Sequence, residues 1–299
     1  MSSVFCHMVG KGLITPPKFI ASNLQYETMT GSVSYGVSDD TSDLDIVGYC
    51  IPPKEEVFPH LAGHIDGFGK QKQAFGQFQQ HHIMDKEARG GKGQEVDITI
   101  YNIVKYFQLC MQNNPNMVDS LFVPLRCIKH STSVGNMVRE NGKMFLHKGS
   151  YHKMKGYAYA QLHKMDNKKP QGKRLASVEK YGYDVKYAYH VVRLLDEAEQ
   201  ILEHHDLDLT RNREQLKAIR RGELTEADIR KHFESKEKQL EKLYVDSTLQ
   251  HSPDVEAIKQ LLLNCLEQHY GDLSSCVVNV DKSFAYLTQI KEIIDKSGV

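Results

Sequence analysis

Gly31-Ser32-Val33-Ser34-Tyr35-Gly36, followed by Asp43-Leu44-Asp45-Ile46-Val47-Gly48-Tyr49, is the stretch that decides the fold. The residues before it, 24–30, alternate and are rich in Thr and Tyr, which predicts a strand. A Gly-Ser pair closing a strand lets backbone N–H groups approach an anion with no Cβ in the way, and the Ser32 hydroxyl adds a donor. Residues 42–49 predict a second strand. Side chains two apart on a strand share a face, so Asp43 and Asp45 project together while Leu44 and Ile46 turn into the core. Two neighbouring carboxylates repel unless a cation sits between them, and hard oxygen ligands suit Mg²⁺ or Mn²⁺. The plainer alternative is an acidic turn of Asp39, Asp40, Ser42 and Asp43 after an ordinary hairpin end.

A third carboxylate weighs on that choice. Residues 94–101 alternate cleanly, placing Val96, Ile98 and Ile100 on one face and Asp97 and Thr99 on the other. An Asp on the polar face of a strand, with an apolar helical pattern following directly, is well placed to complete a metal site.

These residues resemble the nucleotidyltransferase superfamily of DNA polymerase beta: Gly-Ser, a short spacer, Asp-x-Asp, then a third Asp on a later strand. Three further blocks, NPNMVDSLF at 114–122, KGYAYAQ at 155–161 and YDVKYAYHVVRLL at 183–195, resemble motifs of one branch. That branch comprises the nucleotidyltransferases associated with RNA repair in bacteria and their phages. The resemblance runs from about residue 24 to about residue 202. It implies an α+β fold, a small mixed sheet with flanking helices, followed by a helical C-terminal domain. It also implies metal-dependent transfer of a nucleoside monophosphate from a nucleoside triphosphate to an acceptor hydroxyl, at an RNA (tRNA-like) 3′ end, with release of pyrophosphate. Asp43, Asp45 and Asp97 would then be catalytic, holding two Mg²⁺ or Mn²⁺ ions. Gly31, Ser32, Tyr157, Lys186, His190 and Arg193 would bind the nucleotide. Two other readings stay open: transfer to a protein or small-molecule hydroxyl, and a non-catalytic nucleotide- or RNA-binding module with a relic site.

Bulk properties set limits. A chain of 299 residues can hold two domains, and 40% hydrophobic with 25% charged residues is ordinary for a globular protein. No apolar run is long enough to span a bilayer, and residues 1–15 show no secretion signal, so no membrane partner is expected. Six cysteines without a Cys-x-x-Cys pair argue against zinc and fit a reducing cytoplasm. The formal net charge is zero, so global electrostatics announce no nucleic-acid binder. Locally, residues 164–193 carry eight Lys or Arg against three acids, either a solvated loop or a phosphate-facing surface.

The expected organisation is a catalytic module over 1–125 and a helical domain over 126–299. Residues 74–83 predict a strand, 86–93 a mobile loop and 103–109 a helix, with Asn114 and Pro115 starting the next. Helices are then expected at 133–146, 151–167, 178–205, 211–221, 225–244, 253–269 and 282–296, Thr225 and Asp228 having capping-box character. On a wheel of about 100° per residue, Lys186, His190 and Arg193 fall on one side, opposite Ala188, Val191, Val192, Leu195 and Leu202. That predicts a cationic stripe, facing either the phosphates or plain solvent. Tyr157, with Gln161 one turn on, either stacks on a base or packs between helices. The pairs His81-His82 and His204-His205 look metal-like, but neighbours on a regular strand or helix point apart.

Overall fold

The computed structural model describes residues 3–39, 42–71, 73–276 and 280–297. Asp40 and the side chain of Lys173, both used above, lie outside the described residues. Two short helices, α1 (Val4–Gly10) and α2 (Phe19–Asn23), open the chain where the sequence pattern predicts no element. The Gly-Ser and Asp-x-Asp stretch follows as β1 (Leu24–Met29), a 3-10 turn (Gly31–Val33) and β2 (Leu44–Cys50). Then come α3 (Lys54–Val57), β3 (Gln77–Asp85), α4 (Ala88–Gly91), β4 (Gln94–Asn102), α5 (Ile103–Met111) and α6 (Pro115–Phe122). A short strand β5 (Ile128–Ser131) precedes α7 (Ser133–Glu140), α8 (Gly149–Asn167), α9 (Lys173–Tyr181) and α10 (Val185–His204). The chain continues through α11 (Arg213–Arg220), α12 (Glu226–Asp246), α13 (Val255–Tyr270) and α14 (Val280–Ser297).

The five strands form one mixed sheet in the order β3-β4-β2-β1-β5. β2 and β4 run parallel at its centre, and every other pair is antiparallel. β5, which has no counterpart in the sequence reading, pairs with β1, so the sheet extends past residue 125. The α+β architecture, a mixed sheet flanked by helices with a helical C-terminal region, is the one expected.

Alternation explains both faces. Val96, Ile98 and Ile100 are fully buried and pack with Leu44, Ile46, Phe5 and Ile20 under α1 and α2. The opposite face buries Tyr26, Tyr49, Tyr106 and Phe107 beneath α5, α7 and α13. Asn102 caps α5, its side chain accepting from the Val104 N–H at 3.0 Å. The Thr225–Asp228 capping box closes the start of α12 as expected.

The single helix expected over 178–205 is broken in two. Gly182 adopts φ +83°, a left-handed conformation that ends α9 and that a Cβ would penalise. Asp184 then caps α10 by accepting from the Lys186 and Tyr187 N–H groups. Lys186 thereby becomes a first-turn residue of a new helix.

A buried ion network fixes α10 against the rest. Arg193 Nη1 donates to Asp119 Oδ2 of α6 at 2.6 Å, to Glu197 Oε1 at 2.9 Å and to the Tyr35 hydroxyl. The Tyr35 hydroxyl also donates to Asp119, and the guanidinium lies over the Tyr35 ring, 4.8 Å from its centroid. Burial pushes the carboxyl groups of Asp119 and Glu197 above their ordinary range, Glu197 by far the more. Desolvation of the two carboxyl groups outweighs what the shared guanidinium restores, and Asp119, which also accepts from Tyr35, is the less raised of the two.

With its pKa raised on folding, Glu197 binds its proton more tightly in the folded protein than in the unfolded chain, where a glutamate titrates at about 4.3. The folded state binds more protons, so its stability is greatest below that pH and falls as pH rises toward the folded-state pKa; Asp119 adds to the same slope. Glu197→Gln should flatten the slope and leave stability near pH 8 unchanged or raised, while Arg193→Met should cost about 3–5 kcal/mol by stranding its partners. Urea midpoints between about pH 5 and 8 check both. A slope unchanged in Glu197→Gln would refute the raised Glu197 pKa.

Candidate active site

Asp45 and Asp97 are direct register partners across the parallel β2–β4 pair. Each lies on the face opposite the fully buried aliphatic row of its own strand, so both carboxylates emerge at one level of the sheet. Asp43 sits just before β2, two residues from Asp45, and is half-buried like it. Burial, then the charges of Asp97 and Asp43, hold the Asp45 carboxyl above the usual carboxylate range, with Lys186 and His81 opposing. Carboxylates gathered in this way make a hard-oxygen donor set of the kind that suits a divalent cation. Asp45 and Asp97 are thus paired across the strands with Asp43 two residues from Asp45, whereas the set of ligand atoms that lies within 4.8 Å among the described residues is His82, Glu95 and Asp97.

The turn after β1 closes on this group. Gly31 adopts φ +62°, and a Cβ built on it would stand 2.2 Å from Asp45 Oδ2. The Thr30 N–H donates to the Asp45 carbonyl at 2.9 Å, and the Val37 N–H donates to the Ser32 carbonyl at 2.9 Å. Ser32 is half-buried at the centre of the 3-10 turn. Two arginines that sequence reasoning missed hold the rest of the loop. Arg220 donates to the Val37 carbonyl at 2.7 Å and to Asp39 at 3.0 Å, and Arg126 reaches the carbonyls of Val33 and Ser34.

β3 corrects the dismissal of His81-His82. Gln80 pairs with Ile98 and Ile83 with Val96, so two residues, His81 and His82, stand opposite the single Asp97. That is a β-bulge, with His82 at φ +55°. In a regular strand the two rings would point apart; the bulge turns both toward β4. His81 Nδ1 lies 3.2 Å from Asp97 Oδ2, the His82 N–H donates to Asp97 Oδ1 at 2.7 Å, and His82 Nδ1 meets Glu95 at 2.5 Å. The Glu95 bond, with the charges of Glu95, Asp97 and Asp43, raises the His82 pKa.

The helix α10 departs from the expected open stripe. Lys186 is exposed, His190 half-buried, and Arg193 buried at 6% exposure within the network of Asp119, Glu197 and Tyr35. Burial, followed by the charges of Arg193, Lys186, Arg174 and Arg220, pushes the His190 pKa well below its ordinary value, so this ring is neutral near pH 7. Tyr157 is 42% exposed on α8. Tyr35 and Asp119 were not chosen from the sequence as site residues. Both lie inside the motif blocks, and that membership was the available signal.

A central parallel strand pair carrying facing carboxylates, closed by a Gly-Ser turn, defines the nucleotidyltransferase class of fold. The profile of the RNA repair pathway DNA polymerase beta family (RlaP) matches residues 18–275, and the chain belongs to that family. No curated protein matches the sequence. Among solved structures, a nucleotidyltransferase-like protein from Exiguobacterium sibiricum aligns over 91% of this chain and 74% of its own, at 11% identity and a TM-score of 0.28. So slight a likeness carries no argument. No helix among the described residues is long and apolar enough to cross a membrane.

Gly31→Ala tests the closeness of turn and carboxylate. The substitution meets both a positive φ and the Asp45 side chain, and should destabilise the protein by about 1–3 kcal/mol. A urea midpoint equal to that of the wild type would show that the turn does not press on Asp45.

Proposed function

We propose that this protein transfers a nucleoside monophosphate from a nucleoside triphosphate to the hydroxyl of an RNA 3′ end, releasing pyrophosphate. The observation that carries the reading is the in-register pairing of Asp45 with Asp97, with Asp43 beside them and the Gly31 turn against Asp45. In this reading Asp43, Asp45 and Asp97 hold two Mg²⁺ or Mn²⁺ ions. When bound, such ions lower the pKa of the attacking hydroxyl and neutralise charge on the α-phosphate and the leaving group.

The protein's own groups do the rest. Gly31 offers backbone without a side chain, and Ser32 a hydroxyl, to the triphosphate. The acceptor hydroxyl gives its proton to solvent as its oxygen attacks the α-phosphorus on the Asp97 side, and the bond from that phosphorus to the α–β bridging oxygen breaks, pyrophosphate leaving with the electron pair. Lys186 at the start of α10 balances charge on the departing pyrophosphate. His190 supplies a neutral ring that gains a proton when phosphate charge arrives, and Tyr157 offers an exposed ring for a base. Arg193 positions rather than contacts: its network locks the Tyr35 end of the turn to α10. We assign catalysis to the module over 1–125 completed by β5, with the helical part over 126–299 bringing in Lys186. The six free cysteines fit a cytoplasmic setting.

The assay incubates the protein with each α-labelled nucleoside triphosphate, Mg²⁺ or Mn²⁺, and total RNA. Label should enter RNA, and Asp43→Asn or Asp45→Asn should lower the rate at least ~10³-fold, the scale for losing a main electrostatic stabiliser. Full activity in Asp43→Asn would refute the site. Label entering protein or a small molecule instead would move the acceptor away from RNA.

A second measurement reads the cationic side. The His190 imidazole, depressed by burial and then by four surrounding cations, should titrate at higher pH when a nucleoside triphosphate is bound, because phosphate charge offsets the cations' repulsion. NMR titration of the ring protons with and without nucleotide checks this. An unmoved His190 would remove α10 from the phosphate site.

A further inference from the structure

The bulge on β3 assembles a second set of ligands beside the three aspartates. His82 Nδ1, a Glu95 oxygen and an Asp97 oxygen all lie within 4.8 Å of one another. Glu95 and Asp97, two apart on β4, share a face, and the bulge lets an imidazole reach that face from the neighbouring strand. One imidazole and two carboxylates make a donor set unlike the all-oxygen trio. Nitrogen ligands favour Zn²⁺ and its borderline neighbours over Mg²⁺, which keeps to oxygen. Three protein ligands with one position left to water is also the composition of open zinc sites.

We propose that His82, Glu95 and Asp97 bind a Zn²⁺-class ion, with Asp97 shared between this site and the aspartate trio. His81 completes the arrangement from outside. Its Nδ1 holds Asp97 Oδ2 at 3.2 Å while the His82 N–H holds Oδ1 at 2.7 Å, so the shared carboxylate is oriented by two donors on consecutive residues. The His82 ring is 83% exposed, so its nitrogen is open to an ion arriving from solvent, where zinc–imidazole bonds run to ~2.0–2.1 Å. The site depends on ligand identity and distance alone, not on nucleotidyl transfer, and is read by binding.

The test uses the full-length, metal-stripped protein. Zn²⁺ is titrated by calorimetry in the presence of excess Mg²⁺, and Co²⁺ is followed in parallel by its visible d–d absorption. The wild type should take up Zn²⁺ at this site despite Mg²⁺. His82→Asn and Glu95→Gln should each weaken that binding at least ~10-fold, the scale for losing even an outer-shell partner. Asn tolerates the positive φ of residue 82, so His82→Asn keeps the bulge, and Glu95→Gln reads the same site without touching it. Asp43→Asn should weaken Zn²⁺ binding less than either ligand variant does, because Asp43 is outside the ligand set and acts on His82 only through its charge. Undiminished binding in both His82→Asn and Glu95→Gln, or displacement of Zn²⁺ by Mg²⁺, would overturn the proposal and leave His82–Glu95 a surface ion pair only. Loss of Zn²⁺ binding in Asp43→Asn with full binding in His82→Asn would place the ion on the aspartate trio. The labelled-nucleotide assay in Mg²⁺ reports separately on turnover, so either reading can fail without the other.

Discussion

One guanidinium in the protein interior joins three parts of the chain that carry the family's motifs. Arg193 of α10 meets Asp119 of α6 and Tyr35 of the turn after β1, with Glu197 one helical turn away. Burying that many ionisable groups is costly, and such clusters are often replaceable by apolar side chains without loss of stability. What apolar side chains cannot supply is direction: a guanidinium bonds only where its N–H groups point. The network therefore sets how far the Gly31–Gly36 turn stands from α10, and with it the placing of Lys186, two helical turns before Arg193, relative to Asp45. The pull of Lys186 on Asp45 is the electrostatic trace of that placement.

The sheet supplies the other half of the geometry. Parallel strands at the centre of a mixed sheet put residues of equal register side by side, and here both are aspartates. Such a pairing is unfavourable in itself, as the raised Asp45 pKa records. It persists because the flanking residues Ile46, Val96 and Ile98 are buried at 0–1% exposure and hold the register: a slip by one residue would turn this aliphatic row out of the core.

What could be read from the sequence follows from period and local chemistry. The alternation over 94–101 placed Asp97 on the right face, and Asp43-Leu44-Asp45 did the same for the first pair. The breaks that a helical period does not register were missed. Gly182 and Asp184 carry the signals of a helix end and a new cap, yet apolar spacing runs through them. The bulge at His81-His82 has no periodic signature, since it appears only when β3 and β4 are paired and one residue is found to be extra. Arg193 was misplaced because a helical wheel assumes one buried face. Fifteen of the twenty residues of α10 are buried, with α8, α11, α12 and the Tyr35 turn around it, so a shared side with Lys186 did not mean shared exposure.

The zero net charge of the chain conceals two local fields of opposite sign. Asp43, Asp45, Glu95 and Asp97 concentrate negative charge at the ends of β2 and β4, while Lys186, Arg174, Arg193 and Arg220 surround His190; each field adds to what burial does first, raising the Asp45 pKa and lowering that of His190. A simple anion would relieve the second and aggravate the first; a bare cation would do the reverse. A ligand that relieves both must bring positive charge to the carboxylates and negative charge to the helix, in one body of matching length. Under the proposed reading, a metal-complexed triphosphate is such a ligand: its cation would answer the carboxylates and its phosphates the cationic side of α10.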